Sequence, residues 1–121
     1  MLQTALRRGK AVPGGYCACA GACGAAIGAG IAFSLLMGAS PIKARERQRV
    51  QQVIQAVVQE QARFAAARCC QRDSWLALKK AVALSKTYLP ITLPAAFSLR
   101  CQQAHLNREC LGRECPLWQD V

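Results

Sequence analysis

This sequence is poor in aromatic side chains, poor in acids and carries a single histidine. Two Trp, two Tyr and three Phe in 121 residues leave alanine, leucine and valine to do most of the core packing. There is no carboxylate pair, no serine elbow and no glycine-rich phosphate loop followed by lysine, so no nucleophile–base constellation is visible. "GAAIGAG" has glycines but neither a preceding strand nor the dinucleotide fingerprint spacing, and reads as helix packing. No CxxC pair of the zinc-ribbon type occurs, no internal repeat is evident, and no run demands a sheet. The chain is long enough for one domain and no more.

Two excesses remain. Six acids against 16 Lys and Arg give a formal charge of +10, which suits an anionic partner such as an acidic protein or nucleic acid and predicts salt-sensitive association. Eight cysteines are the second excess. Thiolates on a metal would lower the true charge by several units, so the two oddities partly cancel and the nucleic-acid reading weakens. An even cysteine count in a short secreted chain reads as a disulfide scaffold. The long helical patterns in the middle disagree with that, and Cys69 and Cys70 are neighbours, which a bridge joins only with strain. A cytoplasmic thiol or metal role is the expectation.

No charge occurs between Lys10 and Lys43, and Arg7, Arg8 and Lys10 stand before the gap, as in an export signal. Yet the strongly apolar core "IAFSLLM" is short, whereas a spanning helix needs about 20 apolar residues. Gly24 and Gly28, with Ala25, Ala29 and Ala32, instead offer a smooth face for a neighbouring helix. A buried helix, with no membrane, is the favoured reading.

The layout follows from local signals. Residues 1–14 read as an N-terminal tail closed by the turn "VPGG", and residues 15–118 as one cysteine-rich domain. A first helix runs from Cys23 or Gly24 to Gly38. Ser40-Pro41 reads as cap and first position of a second, ending near Arg68, whose stripe is Val50, Val53, Ile54, Val57, Val58, Gln61 and Phe64. Asp73 is a plausible cap for a third, with Trp75, Leu78, Val82, Ser85 and Leu89 inward. Pro90 and Pro94 end the pattern. The expected fold is all-α: a small bundle of about three helices with cysteine-rich loops at one end.

On that layout every cysteine falls in a loop or at a helix end. Cys17, Cys19 and Cys23 enter the first helix, Cys69 and Cys70 join the second to the third, and Cys101, Cys110 and Cys115 lie in the last segment with His105. Cysteines used as small core hydrophobes would be scattered along helix faces. Helix N-termini stabilise a thiolate, which favours Cys23 and Cys70. The candidate metal ligands are Cys17, Cys23, Cys69, Cys70, Cys101, His105, Cys110 and Cys115, although His105 has a plainer reading as a loop hydrogen-bonder. Arg68, Arg72 and Arg108 each stand within two residues of a cysteine, where they would balance clustered thiolates.

Three stretches together, "GGYCACAGACGAAIGAGIAFSLLMGASP", "RCCQRDSWLAL" and "CQQAHLNRECLGRECP", resemble an uncharacterised cysteine-rich family of anaerobic prokaryotes, a domain of unknown function. The resemblance runs from about Gly14 to Leu117. It implies that the recurring cysteines are Cys17, Cys23, Cys69, Cys70, Cys101, Cys110 and Cys115, with Cys19 an addition. It also draws Asp73, Asn107 and Arg108 into the matching motifs, so that Arg68, Arg72, Asp73, Asn107 and Arg108 form the expected surround of a bound group. Longer members carry an upstream half rich in Cys and His that is not part of this sequence, which implies a shortened relative or a cut start. No activity is implied. The expectation is a domain that binds an iron–sulfur cluster or zinc in anaerobic redox metabolism, with a redox or acidic protein partner. The alternatives are a metal-free thiol–disulfide protein cycling Cys69-Cys70 or Cys17-Cys23, and a basic nucleic-acid module, which lacks exposed aromatics among its cations.

Overall fold

The structure, a computed structural model, describes residues 1–96 and 98–118. Its regular structure is all helical: five α-helices and two short 3₁₀ turns, with no strand among the described residues. About three helices were expected. The two additional ones are short and lie before Gly24.

The segment read as a tail forms α1 (Leu2–Lys10). Leu2, Ala5, Leu6 and Gly9 fall at three- and four-residue steps and share a shallow groove with Gly28 and Ile31 of α3 (Gly24–Met37). None of the α1 residues is buried, so the helix lies on the surface of the fold rather than in its core. Between them, Gly15 at φ 76° opens a single turn, α2 (Tyr16–Cys19), and Gly21, also at φ 76°, closes the loop before Cys23.

α3 has the predicted bounds. Cys23 is its N-cap, with Sγ accepting the Ala25 N–H at 3.4 Å, and Gly38 ends it in the left-handed region. Its close face is not the expected Gly24 and Gly28. Gly30 and Ala26 are buried instead, and a Cβ at Gly30 would lie 2.6 Å from Cδ1 of Ile54. Gly28 has open space where its Cβ would be.

α4 spans Ala44–Gln61, a shorter helix than the sequence pattern suggested. Ser40-Pro41 makes a turn, with the Lys43 N–H on the Ser40 carbonyl, and the Lys43 ammonium then caps α3 at the Gly38 carbonyl. The helix therefore begins three residues after Pro41. At the other end residues 64–69 run irregularly, and the Gln61 side-chain amide donates to the Asp73 carbonyl at 3.1 Å, tying the end of α4 to α5. Val53 and Val57 of α4 are fully buried, as predicted.

α5 (Cys70–Tyr88) starts before the predicted cap: Cys69 is the N-cap position and Asp73 sits inside the first turn, its N–H on the Cys69 carbonyl. Trp75 and Ser85 are inward, but Leu78 is exposed and Leu76 and Ala77 take the buried places. Leu76 is buried because Leu117 packs on it together with Trp75, and Ala77 because it meets Ala26 and Val57. α3, α4 and α5 pack on one another, with Ala26, Val57 and Ala77 at the centre. No helix among the described residues is long and apolar enough to cross a membrane.

Candidate metal centre

Leu117 is the anchor that brings the last segment to the helices. It is 2% exposed, and its carbonyl accepts the Cys101 N–H at 2.9 Å, so residues 101–117 close into a loop pinned on the first turns of α5. Cys101 and Cys115 flank that anchor. Leu117 is two residues after Cys115, but its role depends on the contact with Trp75, which no local pattern announces.

The consequence is a cleft of about 350 Å³ lined by Cys69, Cys70, Cys101, Cys110 and Cys115, with Arg68, Arg72 and Asn107 in its wall. Two cysteine motifs about thirty residues apart in the chain thus face one space. No disulfide joins any of the cysteines among the described residues.

The backbone around the tail cysteines repeats one device. Cys101 Sγ accepts the Gln103 N–H at 3.4 Å, Cys110 Sγ the Gly112 N–H at 3.3 Å, and Cys115 Sγ the Leu117 N–H at 3.4 Å. Cys23 does the same with Ala25. An N–H aimed at sulfur fixes the sulfur's position, and backbone N–H···S bonds of this kind surround the sulfurs of metal and cluster ligands. Gly112, at φ 65°, makes the turn that brings its own N–H back onto Cys110. A residue missed by the sequence reading, Gln71, accepts the Cys101 thiol at 3.7 Å and so ties the tail to α5. Its position directly after Cys70 was the available signal.

Arg72 is buried, with its guanidinium on the Ala67 carbonyl and on Asp73 at 3.3 Å, and over the Phe64 ring at 5.6 Å. It holds the irregular segment before α5 in place and puts positive charge behind the thiols. Arg68 is exposed at the cleft mouth. Asn107 accepts the Glu109 N–H and shapes the turn before Cys110.

The remaining predicted residues divide. Cys17 and Cys23 line an adjoining cleft of about 340 Å³ together with Arg68, Cys70, Asp73 and Ser74. Cys70 and Arg68 therefore belong to both spaces. His105 is exposed and lies in a separate surface hollow with Cys101 and Cys110, away from the α5 cysteines. Arg108 is exposed and lines neither cysteine cleft, and Cys19 is exposed and lines neither. Among the described residues no three His, Cys, Asp or Glu side chains stand together at ion-binding distance.

A helical, cysteine-rich domain whose tail folds back onto a helix start is the class these observations define. The chain belongs to DUF5714, a family of unknown function, which it matches over residues 1–118. No curated protein and no solved structure matches it.

Proposed function

We propose that this protein binds a thiolate-ligated metal, an iron–sulfur cluster or zinc, in the cleft between the start of α5 and the tail, and serves anaerobic redox metabolism in the cytoplasm. One observation carries the reading: five cysteines line one cleft, and the three from the tail each hold sulfur on a backbone N–H two residues ahead. Cysteines kept for packing would have no use for that repeated geometry.

Cys69, Cys70, Cys101, Cys110 and Cys115 are the donors of this centre, a soft sulfur set suited to iron–sulfur clusters and zinc. The reading rests on the shared cleft and the N–H···S bonds rather than on a preassembled coordination shell. Thiolate sites commonly tighten only as the metal binds, because binding and local folding are coupled. Arg68 and Arg72 supply positive charge against a net-negative centre, and Asn107 holds the turn that presents Cys110. His105 is a ligand only if the tail turns it inward. The basic surface suits an acidic redox protein as partner.

Anaerobic purification of the untagged chain, followed by metal and acid-labile sulfide analysis and a visible spectrum, tests this. Iron with sulfide and a brown colour, or zinc in stoichiometric amount, is the expected result. Colourless protein with only traces of either metal overturns it. Reversible two-electron thiol oxidation in such metal-free protein would point to disulfide exchange at Cys69-Cys70 instead.

A further inference from the structure

α3 was expected to be a buried helix, but it buries only Ala26, Gly30 and Phe33. Gly28, Ala32 and Leu36 follow one another at four-residue steps, so they share one face, and all three are exposed. α1 covers only the near end of that face. A Cβ at Gly24 would lie 4.0 Å from Cγ1 of Val12, just beyond α1, and Leu2 and Leu6 share the groove with Gly28 and Ile31. Even there Leu2 is 80% exposed and Leu6 61%. At the far end of α3 the apolar surface continues, with Leu36 51% exposed and Ile42, in the turn that follows, 93%.

The charge on this stretch has one sign. Residues 1–45 hold Arg7, Arg8, Lys10, Lys43 and Arg45, all exposed, and no Asp or Glu. Arg7, Arg8 and Lys10 belong to the last turn of α1, whereas Lys43 and Arg45 come directly after Ile42. The Lys43 ammonium, on the Gly38 carbonyl at 2.9 Å, fixes the turn that presents Ile42. Exposed leucine and isoleucine side chains with cations at both ends are what a helix needs to lie on an anionic bilayer. The apolar groups enter the acyl boundary while the cations stay among the headgroup phosphates. A second copy suits this face poorly, because pairing would set two cationic, acid-free stretches against each other.

We propose that the exposed face of α1 and α3, ending at the Ile42 turn, rests on a membrane surface rich in anionic phospholipid. Leu2, Leu6, Leu36 and Ile42 are its apolar contacts, and Arg7, Arg8, Lys10 and Arg45 meet the headgroups. α3, with 14 residues, falls short of the about 20 that a spanning helix needs, so the contact is peripheral. None of these eight side chains lines either cysteine cleft, so the membrane contact stands apart from the thiolate centre.

Flotation of the reduced, metal-free full chain with vesicles is the test, using phosphatidylcholine alone and an equimolar mixture of phosphatidylcholine and phosphatidylserine. The wild type should float with the mixed vesicles, stay behind with phosphatidylcholine, and bind more weakly as salt rises. Ile42→Ser should weaken partitioning at least about tenfold. Its side chain is almost fully exposed and has no packing to lose, so this variant keeps the fold. Arg7→Gln/Arg8→Gln should weaken binding by about fivefold for each cation removed. No flotation with the mixed vesicles overturns the proposal, and so does equal flotation with phosphatidylcholine alone, since the cations would then play no part. Flotation that Ile42→Ser leaves unchanged also overturns it, because only the general attraction of a +10 chain would remain. Sedimentation without lipid reads the competing occupant: a dimer of the wild type that Ile42→Ser dissolves assigns the face to a second copy and overturns the membrane. Each result holds whether or not the thiolate centre binds iron or zinc, so the two proposals fail separately.

Discussion

Gly30 is where the packing that positions Cys23 can be probed with a single methyl group. In a solvated helix, Gly→Ala stabilises by roughly 1 kcal/mol, because alanine loses less backbone entropy on folding. At Gly30 a second term opposes this. The new Cβ would stand 2.6 Å from Cδ1 and 2.7 Å from Cγ1 of Ile54, and 3.9 Å from Val50 Cγ1, so α3 and α4 must separate or Ile54 must turn. Overpacking of that kind costs about 1–3 kcal/mol, so Gly30→Ala should destabilise by about 1 kcal/mol net. For a chain of this size that lowers Tm by roughly 3–6 °C. Gly28 is the internal control: its Cβ position is open, so Gly28→Ala should stabilise by up to about 1 kcal/mol. Replacing Ile54 by alanine removes both offending atoms, and Gly30→Ala in that background should change sign and stabilise. Chemical and thermal unfolding of the reduced, metal-free chain, followed by far-ultraviolet circular dichroism, reads all of these. A Gly30→Ala protein as stable as Gly28→Ala would refute the close approach of α3 and α4 at this point.

Arg72→Ala should destabilise by about 3 kcal/mol or more, because it leaves the Asp73 carboxylate buried without its cation and frees the Ala67 carbonyl. A loss under about 1 kcal/mol, read by urea unfolding, would mean the pair behaves as a surface one. Cys19→Ser should shift stability by no more than about 0.5 kcal/mol, whereas Cys23→Ala, which removes the cap that accepts the Ala25 N–H, should destabilise by about 1 kcal/mol and Cys23→Ser should restore the loss; equal melting of the Cys19→Ser and Cys23→Ala variants would undo that distinction. Leu117→Ala should cost about 2–5 kcal/mol by emptying the contact with Trp75 and Leu76, and should release the tail to protease faster than α3 or α4. The Arg63 hydrogen bond, with Lys80 nearby, holds Glu60 below the usual carboxylate range. Its stabilisation is therefore full above the unfolded pKa and is lost as pH falls through the folded one. Glu60→Gln should lower stability by less than about 1 kcal/mol at neutral pH and converge with wild type in acid; a gap that widens in acid would contradict the sign.

What the amino-acid sequence determined by itself was local. The bounds of α3 followed from Cys23 and Gly38, the buried stripe of α4 from Val53 and Val57, and the helical class from unbroken three- and four-residue periodicity. The placement of most cysteines in loops or at helix starts was legible for the same reason, and so was the family resemblance, whereas Cys17 and Cys19, read as loop residues, lie within the single turn α2 because Gly15 opens a helical turn there. Tertiary structure decided what depends on contacts between distant segments. α1 lies along α3, with Leu2, Ala5, Leu6 and Gly9 facing the groove shared with Gly28 and Ile31, although "VPGG" alone suggested a tail. The close glycine is Gly30 rather than Gly28 because the direction from which α4 approaches selects it. The thiols divide into two compartments because Leu117 carries the tail to Trp75 while α3 presents Cys23 beside Cys70, and the sequence spacing of the cysteines encodes neither approach.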